Sequence, residues 1–408
     1  MFAGKEGRRS RAVKSGSARV LARSAVCAIA VAGAIVGLGL SAGTAAASAD
    51  GPTTSNTVLA AMPGTPDSLM RPAVQSARAA NSVMLAITRT GKRIVAVGER
   101  GIAVWSDDNG NRWHQAQVPV SVSLTSVKFA DDRHGWATGH GGVVLRSDDA
   151  GETWHKQLDG IGAARLMLEA ARQGLPGAGV DPRQALSNAQ RLVEEGPTKP
   201  FLDVFAFDAD HAMIVGAFGL VFVTSDAGRS WHPALDRIDN PQGKHLYSMV
   251  ADGDGYLIVG EQGAVFRSGD RAEHFTTLIT PYAGSYFGAL STPTGSLIVY
   301  GLRGNVYTRG QVSERDAWQR SRVDDSGSIV AGIRLSTGVL VLLDDRGRVL
   351  RSDDSGLTFQ AAAVPQAAPY TGAVETADGS LVLSGIRGLT RITIDGPRTT
   401  VPVWSKSE

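Results

Sequence analysis

Gly135 to Trp154 reads GWATGHGGVVLRSDDAGETW. Two short apolar runs, Trp136 to Gly139 and Val143 to Ser147, flank a glycine turn, and a Ser-Asp-Asp-Ala-Gly turn leads into a third run, Trp154 to Leu158. Leu124 to Ala130 supplies a fourth run just upstream. Alternating apolar and polar residues between Gly and Asp turns predict four short antiparallel strands rather than a helix.

The same unit recurs along the chain. IVAVGERGIAVWSDDNGNRW (Ile94 to Trp113) precedes it, and IVGAFGLVFVTSDAGRSW (Ile214 to Trp231) and LIVGEQGAVFRSGDRAEHF (Leu257 to Phe275) follow. More worn copies are LIVYGLRGNVYTRG (Leu297 to Gly310), VLLDDRGRVLRSDDSGLTF (Val341 to Phe359) and LVLSGIRGLTRI (Leu381 to Ile392). The glycines opening the third strand of each unit are Gly101, Gly142, Gly219, Gly263, Gly304, Gly347 and Gly388, separated by 41, 77, 44, 41, 43 and 41 residues. Four strands per repeat at this period is the signature of a propeller blade. The sequence therefore predicts an all-β, seven-bladed β-propeller over residues 82–405. The innermost strand of the first blade is expected near Ser82 to Thr88, and Thr399 to Trp404 is expected to complete the last blade. The long second interval predicts an inserted helical hairpin between blades 2 and 3, residues 160–197. Ala163, Leu166, Met167, Ala170 and Ala171 follow helical spacing, Gly174 to Gly179 would form the link, and Asp181-Pro182 is a helix start before Leu186, Ala189 and Val193.

The 408 residues include 49 glycines and 20% charged residues, a composition of many turns that excludes a disordered polyelectrolyte or a long helical bundle. The net charge of +2 is misleading. Residues 1–49 hold Lys5, Arg8, Arg9, Arg11, Lys14, Arg19 and Arg23 against Glu6 alone, and without them 34 basic residues face 38 acidic ones. A general nucleic-acid partner is thereby disfavoured. That basic start, the apolar stretch Ala25 to Leu40 and the small residues Ala47-Ser48-Ala49 read as a cleavable signal peptide over residues 1–49. Residues 50–81 read as a flexible leader. The expected destination is periplasmic or otherwise extracytoplasmic, and the cleaved chain is not itself an integral membrane protein. Cys27 is the sole cysteine and lies in the signal, so no disulfide is expected.

The turns before the outermost strands match the Asp-box pattern Ser-x-Asp-x-Gly-x-Thr-Trp, through Ser106, Asp108, Gly110 and Trp113, then Ser147, Asp149, Gly151 and Trp154, then Asp226, Gly228 and Trp231. Their chemistry is structural: hydroxyl and carboxylate bond turn backbone, glycine accepts positive φ, and the aromatic packs between blades. Asp boxes also occur in sialidases, so a sialidase-like glycoside hydrolase or a glycan-binding propeller is the alternative reading. The Arg-Ile-Pro element common in sialidases is missing, and no Tyr stands in a context that nominates it as a nucleophile. His114, His155 and His232 each follow a box aromatic, but in separate blades they are too far apart to share a metal at about 2 Å. Asp252-Gly253-Asp254-Gly255 lacks the later ligands of a calcium loop and reads as a hairpin turn. No catalytic residue, metal or cofactor is expected, and the chain is read as a non-enzyme.

From Gly98 to Trp113, Gly139 to Trp154 and Gly216 to Trp231, the export signal, the GxxG turns and the boxes together resemble the photosystem II stability and assembly factor family, over about 320 residues. The resemblance implies a non-catalytic role in the lumen or periplasm, holding an arginine-rich patch against a membrane-protein partner. Relatives in bacteria without photosynthesis imply a more general cell-envelope role. Placement of charge on the ring agrees. The residue before the turn glycine is Arg100, Arg303, Arg346 and Arg387 in blades 1, 5, 6 and 7, but Gly141, Phe218 and Gln262 in blades 2, 3 and 4. Closing the ring makes the four arginines an arc. Alternating strand direction puts it on the side of the blade-to-blade connections, helical insert included and Asp boxes excluded, as the expected partner-binding site.

Overall fold

The computed structural model describes residues 66–175, 177–292, 295–310, 317–324, 327–364 and 367–394. The expected signal peptide and the strand expected at Thr399 to Trp404 lie outside these residues. The chain is a seven-bladed β-propeller. Blade 2 shows the plan: Leu124–Phe129, Gly135–Gly139, Val144–Ser147 and His155–Leu158 pair antiparallel in sequence order. Its second strand is buried throughout, whereas His155 at the start of the fourth is exposed. That gradient follows from the ring: middle strands pack on neighbouring blades at both faces, while outermost strands meet solvent.

The innermost strands are Met84–Thr90, Leu124–Phe129, Phe201–Ala206, Leu246–Asp252, Tyr286–Ser291, Ile329–Arg334 and Tyr370–Glu375. Each neighbours the next, and the last returns to the first. Across that closure Thr371 Oγ1 donates to Met84 O at 2.7 Å and Arg89 Nη1 to Glu375 O at 3.1 Å. Blade 7 comprises three strands among the described residues, and blade 6 gains Arg322–Val323, paired parallel at its outer edge. Apolar side chains interlock between blades: Trp154 packs with Val95 of blade 1, Trp231 with Trp136 of blade 2, and Trp113 with Val382 of blade 7. A buried polar tie joins three blades. Asp203 Oδ1 accepts from Ser126 Oγ at 2.6 Å, and Asp203 Oδ2 from Met249 N at 2.9 Å.

The insert is the expected helical hairpin: α1, Gly160–Arg172, and α2, Pro182–Glu195. Asp159 caps α1 by accepting from Ile161 N and Gly162 N, and Asp181 caps α2, with Pro182 in its first turn. In α2 the inward stripe is Ala185, Ala189 and Leu192, while Val193, expected inward, is exposed. Steps of three and four both keep a helical face, so spacing alone did not separate Leu192 from Val193.

Of the expected leader, residues 50–65 lie outside the described residues, and residues 66–81 run along blades 1 and 2. Leu69 is 1% exposed within the core of blades 1 and 2, Ser121 N donates to Ser68 O at 2.8 Å, and Ala73 N donates to Val118 O at 3.0 Å. This small-residue segment is thus a strap, held by backbone bonds that composition does not reveal. Among the described residues no helix is long and apolar enough to cross a membrane.

Candidate partner-binding face

One backbone bond repeats in all seven blades and defines a face. The first residue of the turn between the second and third strands donates its N–H to the carbonyl just before the innermost strand. The pairs are Glu99 to Val83, His140 to Ser123, Ala217 to Pro200, Glu261 to His245, Leu302 to Ser285, Asp345 to Ser328 and Ile386 to Pro369, at 2.9 to 3.2 Å. These turns therefore lie against the blade-to-blade connections. Gly142 shows how closely: its φ is +64°, and a Cβ there would stand 2.6 Å from Gly160 Cα. The second-to-third turn of blade 2 is packed on the start of the helical hairpin, so hairpin and turns share this face.

The residue after each anchoring donor differs from blade to blade. Arg100, Arg303, Arg346 and Arg387 are all exposed. Arg100 and Arg303 hold left-handed backbone, at φ 54° and 59°, as do Phe218 and Gln262 at 57° and 53°. Glycine would relax these positions, as Gly141 does, so a large side chain is kept at a local cost of about 1 kcal/mol. Among the described residues none of Arg100, Arg303 and Arg387 forms an ion pair; Arg346 N donates to Asp344 Oδ1 at 3.0 Å. The arc thus spans neighbouring blades 5, 6, 7 and 1, while the Leu69 strap covers the blade 2 turn, where a Cβ on Gly141 would meet Leu69 Cδ2 at 2.8 Å.

A second feature of this face had no counterpart in the sequence reading. Every innermost strand carries a bulge at its second residue: Leu85, Thr125, Leu202, Tyr247, Phe287, Val330 and Thr371. A bulge adds one unpaired residue and re-aims its side chain. All seven are half-buried. In blades 3 to 5 they join an aromatic row. Phe218 meets His245 with ring centroids 4.8 Å apart, His245 meets Tyr247 at 6.4 Å, and Tyr247 meets Phe287 edge-on at 5.5 Å. Behind Phe218, between the hairpin and blade 3, lies a cavity of about 890 Å³ walled by Met167, Ala170, Leu192, Leu220 and Leu235. Lys199 Nζ closes one side, 4.6 Å from the Phe218 ring centre and 2.6 Å from Glu195 Oε2.

The turns between the third and fourth strands are built differently. Ser147 Oγ bonds Asp149 Oδ1 at 2.8 Å, Gly151 N donates to Ser147 Oγ at 2.8 Å, Thr153 N donates to Asp149 Oδ1 at 2.9 Å, and Trp154 Nε1 donates to Gly151 O at 3.1 Å. Ser106, Asp108, Gly110 and Trp113 repeat this set. In blade 3 the capping hydroxyl is Thr224, bonded to Asp226 and Gly228 N. The same closed turn forms at Ser268 and Asp270 and at Ser352 and Asp354, copies the sequence reading did not single out. Hydrogen bonds from Ser230 Oγ and N hold Asp226 down at about 2. These carboxylates are consumed by their own turns and face away from the arginines, since Ala150 N and Ala227 N bond the opposite hairpins at Arg133 O and Asp210 O.

His114, His155 and His232 start the outermost strands of three blades, and His114 stacks on Trp105 at 4.4 Å. Among the described residues no group of three His, Cys, Asp or Glu side chains is placed to hold a metal. Asp252 to Gly255 is a tight hairpin in which buried Asp252 takes Arg267 Nε at 2.7 Å. Five tyrosines, Tyr247, Tyr282, Tyr286, Tyr300 and Tyr370, have their hydroxyls pushed upward by burial, Tyr286 to about 12, opposite to the shift of an activated nucleophile.

No protein-family model matches the chain, and no curated protein does. Solved structures do match in fold. YCF48 bound to a D1 peptide aligns with TM-score 0.55 at 16% identity, covering 77% of this chain and 94% of that one. YCF48 from Cyanidioschyzon merolae gives 0.55 at 18%, covering 77% and 96%. The WD40 β-propeller domain of Doa1 gives 0.54 at 9%, covering 80% and 95%.

Proposed function

We propose that this chain is an exported, non-catalytic propeller that acts as an assembly or stability factor, holding an acidic or carboxylate-bearing segment of a membrane-protein partner against Arg100, Arg303, Arg346 and Arg387. The observation that carries the reading is the arc itself: four exposed guanidinium groups on turns of adjacent blades, two of them on left-handed backbone. Guanidinium forks match carboxylates in pairs, and several on one face set a field that a single exposed arginine does not. The fold likeness to YCF48, solved with a D1 peptide, supports the same kind of partner. The closed Asp-box turns and the upward-shifted tyrosines support a non-enzyme. Export rests on residues 1–49, and an N-terminus at Asp50 in protein recovered from the cell envelope is its check.

The test is Arg303→Glu, Arg346→Glu and Arg387→Glu together. The triple variant folds as the parent does, because all three residues are exposed, and it loses crosslinked capture of the membrane-protein partner from envelope extracts. Parental capture weakens steeply between low and physiological salt. Unchanged capture by the triple variant removes the arc from the mechanism.

A further inference from the structure

The arginine arc covers only part of its face, and blades 3 to 5 carry an aromatic row instead. From blade 3 to blade 5 the face presents Phe218, His245, Tyr247 and Phe287 in unbroken ring contact. Phe218 is 54% exposed on a left-handed turn residue, at the position that carries arginine in the arc. Tyr247 and Phe287 occupy the bulge position, filled by threonine in blades 2 and 7. There Thr125 and Thr371 turn their hydroxyls onto the next blade's strand, bonding Phe201 O and Met84 O at 2.7 Å.

Row and arc meet at blade 5. Leu302 N is bonded to Ser285 O at 2.9 Å, which brings the turn bearing Arg303 onto the start of the strand bearing Phe287. At its other end the row runs through Phe218 into the cavity under the hairpin. Beside the row Lys199 is paired with Glu195, Lys244 Nζ is turned onto Gln262 O at 3.4 Å, and His245 Nδ1 lies 3.0 Å from Glu261 Oε1. One continuous track therefore changes from cationic to apolar along its length.

We propose, resting on the reading above, that the partner segment is bipartite: its carboxylates lie over the arginines of blades 5 to 7, and aromatic or long aliphatic side chains of the same segment lie along Phe287, Tyr247 and Phe218, the last of them entering the cavity. Charge complementarity fixes the acidic end, and continuity of the row with that end fixes the apolar one. Apolar side chains laid on half-exposed aromatics release water from both surfaces, a contribution that salt does not screen.

The probe is a fluorescein-labelled peptide of consecutive aspartates, a short Gly-Ser spacer and Phe-Leu-Phe, made in both chain directions. One control peptide has Asn for Asp, and another has Ser for Phe and Leu. The protein variants borrow residues that other blades already hold: Phe218→Gln, after Gln262, and Phe287→Thr, after Thr125 and Thr371, so neither asks the fold for a new conformation. The apolar-bearing peptide should bind about tenfold tighter than its serine control to the parent and equally to the double variant, as expected for the loss of two partly buried aromatic contacts. The salt dependence should be the same in both proteins. Acidic-peptide binding with no preference for Phe-Leu-Phe, or a preference that survives in the double variant, overturns the row and leaves the arc standing. Equal binding of the asparagine control overturns the arc.

Discussion

Asp203 is the most exacting test of how the ring is held under the binding face. Its side chain is 5% exposed, and it ties blade 2 through Ser126 Oγ and blade 4 through Met249 N. Replacing it by alanine removes three hydrogen bonds, from Ser126 Oγ, Val204 N and Met249 N, each worth about 0.5–1.5 kcal/mol net, and strands the buried Met249 and Val204 N–H groups. Relief from burying a carboxylate offsets part of this, leaving a loss of about 3 kcal/mol. Unfolding entropy of about 2.1 cal/mol/K per residue over roughly 320 residues converts that into a fall of about 4–5 °C in Tm. Asparagine is the discriminating control. With its Oδ1 placed to accept from the Ser126 hydroxyl and Val204 N, its Nδ2 faces Met249 N–H and one bond of the three is lost, so Asp203→Asn should cost about 1–2 kcal/mol, less than alanine. Scanning calorimetry of parent, Asp203→Ala and Asp203→Asn reads the order directly. A shift below about 1 °C for alanine, or asparagine as damaging as alanine, would refute the tie as a hydrogen-bond device.

Other outcomes follow from the same geometry. Asp226 and Asp131 are both held at about 2, below the ordinary value of 3.8. Stability they supply is present above the unfolded value and lost as pH falls towards 2, so their contribution to Tm should be constant above about pH 5 and drop between about 4 and 2, apart from a separate fall below the ordinary imidazole value because burial holds His140 neutral. Asp226→Asn should flatten that drop; an identical acid limb would refute the assignment. Gly142→Ala sets a Cβ 2.6 Å from Gly160 Cα at φ +64° and should destabilise by about 2 kcal/mol or more, whereas Gly253→Ala, with open space around it, should cost about 1 kcal/mol in urea unfolding. Purified protein should release no sugar from sialosides or common aryl glycosides, and turnover abolished by mutating a single tyrosine would reverse the non-catalytic reading.

The blade count and the place of the hairpin were legible because a glycine at the second-to-third turn keeps register even in worn units such as Leu297 to Gly310. The arginines were legible for the same reason: they sit one residue before it. Thr224 is masked in the sequence by the neighbouring Ser225, which offers the same hydroxyl one position too late. The turn at Ser268 lacks the glycine signal, since Ala272 stands in its place, yet Ala272 N–H still meets Ser268 Oγ at 3.0 Å. The strap at residues 66–81 is anchored by the buried side chain of Leu69 together with main-chain bonds, too sparse a pattern to read from the sequence. The aromatic row was hidden by the bulges. One extra residue shifts strand alternation by one, so Tyr247 and Phe287 read from the sequence as ordinary alternation rather than as side chains turned onto a face.

The two turn families divide the labour of the molecule. At the Asp turns the side chains satisfy the turn itself, and the identities of Ser or Thr, Asp and the following small residue are fixed by that geometry. At the opposite turns the backbone bond to the adjoining connection does the anchoring, seven times over, without using the next side chain. That position is therefore free to differ from blade to blade without disturbing the ring, and it does: Arg100, Gly141, Phe218, Gln262, Arg303, Arg346 and Arg387. A ring whose repeated bonds carry stability on main-chain atoms can vary the side chains on one face blade by blade. The change from arginine to aromatic around one face is what such an arrangement permits, and it makes the face readable as a sequence of contacts rather than a uniform patch.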